Sequence, residues 1–269
     1  MSDIRGKKVL VTGGAIGIGR LMALNCANEG ASHIVLWDIN TEKMTETAQE
    51  LRDKGVEVTT YQVNVASLDD IKAKAEEVRT QVGTIDILFN NAGIVRGGSF
   101  LQHSHEDVHM TIQINVLGVM HVTKEFLPAM VEQKSGHVIN IASAAGMMPV
   151  PLQSAYSPSK WACLSFSEIL RIEMENDNTG VHVTTVCPGY IDTGMFDGVK
   201  PPLLTPILQP QYVADQIIKA VKSNKILLRM PFMVNLLPLF RGILTARMFD
   251  VVTGKLFRVY DTMKEFKGH

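Results

Sequence analysis

No stretch of this 269-residue sequence reaches the ~18 consecutive apolar residues that a membrane-spanning helix requires, so no such helix is expected. Its opening, Met1-Ser2-Asp3-Ile4-Arg5-Gly6-Lys7-Lys8, has no apolar signal region and runs straight into a strand-like segment. Cysteine is scarce. Cys26, Cys163 and Cys187 are odd in number and far apart, and each falls in an apolar segment. That argues against a disulfide framework and for reduced core residues in a reducing compartment. A cytoplasmic location is the expectation, with any membrane association peripheral. Neither sign of charge prevails: 26 Lys and Arg against 27 Asp and Glu leave a formal net charge of -1. Nothing global points to nucleic acid or to a polyanionic partner. Repeats, low-complexity segments and Pro/Gly/Ser-rich linkers are also missing, so residues 1–269 read as one domain.

What is present is a core-forming chain, 46% hydrophobic, in which short apolar runs alternate with amphipathic segments. The runs predict strands at Lys8–Thr12, His33–Trp37, Glu57–Gln62, Ile85–Phe89, Gly136–Ile141, Val181–Val186 and Lys225–Leu228. Helices are predicted at Ile18–Glu29, Thr41–Lys54, Leu68–Gln81, Glu106–Glu132, Ala155–Asn176 and Gln211–Lys222. Strands that read as continuous apolar runs are buried on both faces. This alternation therefore implies an α/β fold, a doubly wound parallel sheet of about seven strands with helices on both sides. Two stretches break the rhythm: a Pro- and Gly-containing loop over 190–210, and an apolar and basic extension over 230–269.

After the first strand comes Thr12-Gly13-Gly14-Ala15-Ile16-Gly17-Ile18-Gly19. Glycines allow a tight turn, and the helix that follows presents N–H groups and a positive dipole end to a pyrophosphate. The spacing is G-x-x-x-G-x-G, and a glycine-rich turn alone can also be a plain turn. Asp38 ends the second strand, placed to accept hydrogen bonds from the hydroxyls of an adenosine ribose and to repel a 2′-phosphate. Ile16 offers no cation to offset that repulsion, which favours NAD over NADP. Asp38 capping its own turn is the alternative. Asn90-Asn91-Ala92-Gly93 follows the fourth strand and either lines the same cleft or braces the loops around it.

Tyr156 and Lys160 stand four apart at the start of a predicted helix and so share one face. A cation near a phenol favours phenolate, which makes the pair a candidate acid/base. Ser143 ends the fifth strand thirteen residues earlier, at the carboxyl edge where open α/β sheets bind ligands. Ser154 is a candidate cap for the Tyr156 helix, and Pro158 must then lie in its first turn.

Thr12–Gly19, Asn90–Gly93, Asn115, Ser143, Tyr156 with Lys160, and Pro188-Gly189 resemble, in order and spacing, the short-chain dehydrogenase/reductase family, over about residues 6–230. The resemblance implies a Rossmann-type fold and hydride transfer between a nicotinamide and an alcohol or carbonyl carbon. It assigns Tyr156 as the acid/base and gives Lys160 the tasks of lowering its pKa and binding ribose. Ser143 would hold the substrate oxygen, and Asn115 a water linking Lys160 to solvent. Cofactor contacts would come from Gly13, Gly17, Ile18, Gly19, Asp38, Asn64, Val65, Asn91, Ala92, Gly93, Tyr156, Lys160, Pro188, Gly189 and Thr193. Asn64 stands where many relatives have aspartate. Leu36-Trp37-Asp38-Ile39-Asn40, Thr123–Met130, Ala142–Gly146 and Asp192–Phe196 are similar to the branch of retinol dehydrogenases and lipid-droplet 17-beta-hydroxysteroid dehydrogenases. Animal members of that branch carry an N-terminal hydrophobic anchor that this sequence does not show. The paired helices of relatives further imply a homodimer or homotetramer.

Met147, Met148, Val150, Tyr190, Met195 and Phe196 are candidates for an apolar substrate pocket; core packing under a lid is the alternative. Residues 216–249 contain no acid but Lys219, Lys222, Lys225, Arg229, Arg241 and Arg247. With the apolar run over 231–244, they suggest contact with an anionic membrane, a dimer contact or a lid. His103, His105 and His109 match no common metal spacing, so no metal is expected. The favoured function is an NAD-dependent dehydrogenase acting on an apolar alcohol or ketone. The alternatives are a 3-oxoacyl or small-carbonyl reductase and, more remotely, an NAD-sensing protein without turnover.

Overall fold

The computed structural model describes residues 2–268; Met1 and His269, the two ends of the expected domain, lie outside that range. Among the described residues seven parallel strands form one sheet in the order β3-β2-β1-β4-β5-β6-β7. They are β1 (Lys8–Thr12), β2 (His33–Asp38), β3 (Glu57–Gln62), β4 (Ile87–Asn90), β5 (Gly136–Ile141), β6 (Val181–Pro188) and β7 (Leu227–Met230). The helices between them are α1 (Gly17–Asn28), α2 (Thr41–Asp53), α3 (Leu68–Gln81), α4 (His105–Ile112), α5 (Val119–Glu132), α6 (Tyr156–Asn176) and α7 (Pro210–Lys222). The strand order reverses between β1 and β4. A crevice therefore opens at their carboxyl ends, where the glycine turn and Asn90-Asn91 emerge.

The unalternating strands have a simple cause. Val9 and Val11 of β1 point into one core with Ile34, Leu36 and the apolar face of α7. Leu10 points the other way, into a second core with Val35, Trp37, Val122 and Leu170. Both faces are covered, so the few polar residues on the inner strands, such as Asn90, His137, Asn140 and Thr184, are buried and hydrogen-bonded to one another.

Several expectations shift. β4 begins at Ile87, two residues later than expected, and runs on to Asn90. The helix expected over Glu106–Glu132 is interrupted, because α4 and α5 are joined by a π-helical turn, Gln113–Gly118. Gly118 lets this wide turn sit against β3's exit loop, since a Cβ there would meet the Val65 carbonyl oxygen at 2.8 Å. β7 begins two residues late. Asn224 takes a left-handed φ of 51°, and the Lys225 carbonyl accepts the Thr184 hydroxyl at 2.7 Å. Ser154 does not cap α6; Ala155 occupies the N-cap and supplies no side-chain bond. Pro158 does fall in the first turn of α6, where its missing N–H costs least.

Beyond β7 the chain folds into a cap: a 3₁₀ turn (Phe232–Leu236), α8 (Leu237–Ile243), α9 (Ala246–Asp250) and a π-helical segment (Val251–Leu256). Residues 257–267 then run along the 190–210 loop. Leu203 N donates to Phe257 O at 2.9 Å, Lys200 N to Thr262 O at 3.1 Å, and Lys267 N to Asp197 O at 2.8 Å. Tyr190 and Thr262 join their hydroxyls at 2.8 Å, and Lys200 pairs with Glu265.

Candidate active site

The phenol of Tyr156 and the ammonium of Lys160 come from the first turn of α6, and both are buried. Lys160 Nζ donates to Ile141 O at 2.9 Å and lies 5.7 Å from the centre of the Tyr156 ring. Burial is the chief influence on each. It pushes the phenol pKa above its ordinary value, against the downward pull of the Ser143 hydroxyl beside it. It pulls the ammonium below its ordinary value, with the Cys163 and Cys187 thiols acting the other way. The Ser143 hydroxyl accepts Ala145 N–H at 3.1 Å and makes only a long bond, 3.4 Å, to Pro188 O. Asn115 sits in the π-helical turn. Its Oδ1 accepts Ile94 N–H at 2.9 Å, and its Nδ2 donates to Ile94 O at 2.9 Å and to Ser159 Oγ at 3.0 Å. A Cβ at Gly93 would lie 3.1 Å from Asn115 Oδ1 and 3.4 Å from Lys160 Nζ, so glycine leaves a gap that both polar atoms border. The four sequence-predicted residues are thus gathered at one end of the crevice.

The residues at the other end fit a dinucleotide. Gly13 has a left-handed φ of 63°, and a Cβ there would meet Ala92 Cα at 3.0 Å. A Cβ on Gly19 would fall 2.0 Å from Gly13 O. The turn is therefore as tight as backbone permits. At the N-cap of α1, Ile16 supplies no side-chain bond, so the leading N–H groups carry no side-chain cap. Thr193 lies across from the turn, its methyl 3.7 Å from where a Gly17 Cβ would be. Ile18 packs against the first core.

Asp38 braces the turns on either side of it. Its oxygens accept Ala15 N–H and Asn40 N–H, each at 2.9 Å. A carboxylate has about four acceptor sites, so capacity for ribose hydroxyls remains. Arg20, which follows Gly19 of the glycine turn, is engaged with Glu50. Asn91 acts as a brace: its Nδ2 donates to Thr12 O at 3.0 Å and Gly13 O at 2.9 Å, tying β4 to the glycine turn. Thr12 Oγ1 accepts the N–H groups of Asn91 and Ala92. Asn64 Oδ1 accepts Ala66 N–H at 3.0 Å and retains one lone pair, and Val65 beside it packs on the second core.

A cavity opens from Ser143 and Tyr156, its empty space about 840 Å³ with the open solvent at its mouth included. Met148, Val150, Tyr190 and Phe196 line it as expected, with Gly189. The Phe196 ring meets Tyr156 and Tyr190 edge-on at 5.8 and 5.2 Å. Met147 and Met195 do not line it. Met147 is packed into the cluster beneath the cap, and Met195 is exposed on the outer side of its loop.

Comparison with known proteins agrees with this arrangement. The family described as short chain dehydrogenase matches residues 7–203. The chain belongs to that family. It is 38% identical over 255 residues to epidermal retinol dehydrogenase 2 of Mus musculus, covering 91% of this chain and 82% of that protein. It is 34% identical over 266 residues to estradiol 17-beta-dehydrogenase 11 of Homo sapiens, covering 98% and 88%. A short-chain dehydrogenase/reductase of Burkholderia phymatum, solved with NAD, superposes with a TM-score of 0.82 at 26% identity, covering 90% of this chain and 95% of the other. A short-chain dehydrogenase of Sphingobium yanoikuyae, solved with NADPH, gives 0.79 at 26% identity, covering 90% and 94%. The retinol and hydroxysteroid dehydrogenase branch is thereby supported.

The residues missed by sequence reasoning in this short-chain dehydrogenase/reductase lie mostly past the family match. Met233, Leu237, Phe240 and Phe257 form the cavity roof, and Gln153 a polar wall. The apolar run over 231–244 was the available signal, and it could not say which face turned inward. Among the described residues no three His, Cys, Asp or Glu side chains gather as a metal site. No helix among them is long and apolar enough to cross a membrane.

Proposed function

We propose that this short-chain dehydrogenase/reductase is NAD-dependent and interconverts an apolar alcohol, retinoid-, steroid- or lipid-like, and its carbonyl compound. The observation that carries the reading is the buried Tyr156 phenol, with Ser143 at its side, opening into a large cavity walled mainly by apolar side chains. Such walls argue against small polar carbonyl compounds as substrates, one arm of the alternative 3-oxoacyl or small-carbonyl reductase. The names of the retinol and estradiol dehydrogenases that the chain resembles point the same way.

Tyr156 exchanges a proton with the substrate oxygen, taking it when an alcohol is oxidised and returning it when a carbonyl is reduced. The Ser143 hydroxyl donates only a long bond, to Pro188 O, so its proton turns to the substrate oxygen at little cost and stabilises the charge that develops there. The Lys160 ammonium, 5.7 Å from the centre of the phenol ring, favours the phenolate as a nearby cation does. The gap at Gly93 lets the lysine and Asn115 share a water, by which the proton leaves. NAD, when bound, supplies the hydride acceptor or, reduced, the donor. Gly13, Gly17, Ile18 and Gly19 would hold its pyrophosphate, Asp38 its adenosine ribose, and Asn64, Val65 and Ala92 the adenine side, while Gly93, next to Lys160, would lie toward the nicotinamide. Lys160, Pro188, Gly189 and Thr193 would hold its nicotinamide side. Asp38 favours NAD over NADP because a 2′-phosphate would meet its charge.

The 190–210 loop and the 230–268 extension serve as the substrate-binding parts. Ile169 and Ile172, exposed on α6, support a homodimer or homotetramer through that helix. The deciding experiment runs Tyr156→Phe beside wild type on a panel of retinoids, steroids and aliphatic alcohols with both cofactors. Turnover should disappear while NAD binding, followed by fluorescence, persists. Retained turnover sinks the mechanism, and a preference for short polar carbonyls sinks the substrate class.

A further inference from the structure

The cap over the cavity has two apolar sides. Its inner side, with Met233, Val234, Leu237 and Phe240, roofs the cavity. Its outer side presents Phe232, 75% exposed, Ile243, 72% exposed, and the exposed Leu239, Met248, Val251 and Leu256. Leu239 and Ile243, four residues apart, share one face of α8, and the buried Leu237 lies on the far side of the helix. Large apolar side chains massed on one side of a two-sided layer mark a surface that is covered in use.

The charges nearby favour one kind of cover. Residues 232–258 carry Arg241, Arg247, Lys255 and Arg258 against a single acid, Asp250. That carboxylate accepts the Tyr260 hydroxyl at 2.6 Å. A second copy of the chain laid on this face across a two-fold would bring the same cations together. The lysines of α7 do not belong to the face, since α7 packs on α1 and Lys222 pairs with Glu29. The surface is therefore smaller than the 216–249 stretch suggested by sequence, and shifted toward the C-terminus.

We propose that the outer face of the cap docks on an anionic phospholipid bilayer, with Phe232, Leu239, Ile243, Met248, Val251 and Leu256 entering the acyl boundary and Arg247, Lys255 and Arg258 meeting headgroups. Leu203 both lines the cavity and is half-exposed, and its neighbour Leu204 is exposed with a left-handed φ of 61°. They mark a mouth in the loop that the cap's Phe257 holds by a backbone bond. An apolar substrate dissolved in the bilayer would then enter without crossing water. That last step rests on the substrate class proposed above; the docking does not.

Vesicle flotation tests it without substrate or cofactor, so its outcome is independent of turnover. The full chain is mixed with vesicles of phosphatidylcholine alone or of phosphatidylcholine with phosphatidylserine. Flotation with the anionic vesicles, weakened by salt, is expected. Phe232→Ser/Ile243→Ser should abolish it. Arg247→Glu and Lys255→Glu should each weaken it by about five-fold or more, as expected for loss of one cation at an anionic surface. None of these four residues lines the cavity, and circular dichroism checks that each variant is folded. No flotation with either vesicle overturns the proposal. So does flotation that the variants leave unchanged, or a dimer that disperses in Phe232→Ser/Ile243→Ser while flotation is absent.

Discussion

The guanidinium of Arg241 in the cap lies 4.0 Å above the ring of Trp161 on α6, one residue beyond Lys160. Its Nη1 also donates to Met147 O at 3.2 Å. One side chain thus joins the roof of the cavity to the helix that carries the acid/base pair. A stacked guanidinium contributes about 0.5–2 kcal/mol, and the hydrogen bond about 0.5–1.5 kcal/mol. Arg241→Ala should loosen the cap without unfolding the sheet. Hydrogen exchange over 232–256 should accelerate, and KM for an apolar substrate should rise several-fold with kcat nearly constant. Arg241→Lys should recover little, because an ammonium cannot stack as a planar fork.

Asp38 offers a sharper discrimination. Its two oxygens hold Ala15 N–H and Asn40 N–H. Asp38→Asn keeps one acceptor but turns an amide NH₂ toward one of those donors. The change should cost about 1–3 kcal/mol, read as a lower urea midpoint. It should also narrow the preference for NAD over NADP by at least ten-fold in kcat/KM. An unchanged preference would remove Asp38 from cofactor selection.

At Gly19 an added methyl has nowhere to go, since it would lie 2.0 Å from the Gly13 carbonyl oxygen. Gly19→Ala must displace the turn. NAD affinity should fall by at least ten-fold in titration calorimetry, with the melting temperature lowered by a few degrees on the scale of ~1–3 kcal/mol of overpacking strain.

His137 predicts the acid limb of stability. It is buried in β5, with Nε2 against Thr184 Oγ1 at 2.8 Å and Nδ1 against Ser2 Oγ at 3.2 Å. Burial first, and the neighbouring His182 second, pull its pKa down to about 3 from 6.5. The unfolded chain therefore binds a proton that the folded chain refuses between those values. The contribution is full above pH 6.5 and is lost as pH falls toward about 3, at ~1.4 kcal/mol per pH unit. Urea midpoints measured from pH 7 to pH 4 should fall on this slope, and His137→Gln should flatten it.

Much of this was readable from sequence because short-range chemistry dictated it. Val9, Leu10 and Val11 announced a strand buried on both faces, and Gly13 to Gly19 a turn that only glycine can make. Asn115, Ser143 and the Tyr156–Lys160 pair lie in three separate parts of the chain, and the resemblance in order and spacing to the short-chain dehydrogenase/reductase family grouped them. The π-helical turn was invisible, since Gln113–Gly118 differs from an α-turn by one residue's worth of winding and by no change in composition. The cap was half visible. Its apolar residues were obvious, but which of them roof the cavity depends on how residues 231–257 pack on α6 and the 190–210 loop. No periodicity in the sequence encodes that.

The backbone bonds from residues 257–267 to the 190–210 loop have a consequence in time. A ribosome makes residues 190–210 before residues 257–267, so the sheet and the Tyr156 helix can assemble while residues 257–267 are still in the exit tunnel. The loop beside the catalytic end gains its partners only when that segment emerges. Synthesis therefore completes the hydride-carrier site before the substrate site, and a nascent chain would pass through a stage able to hold cofactor with its pocket still unwalled.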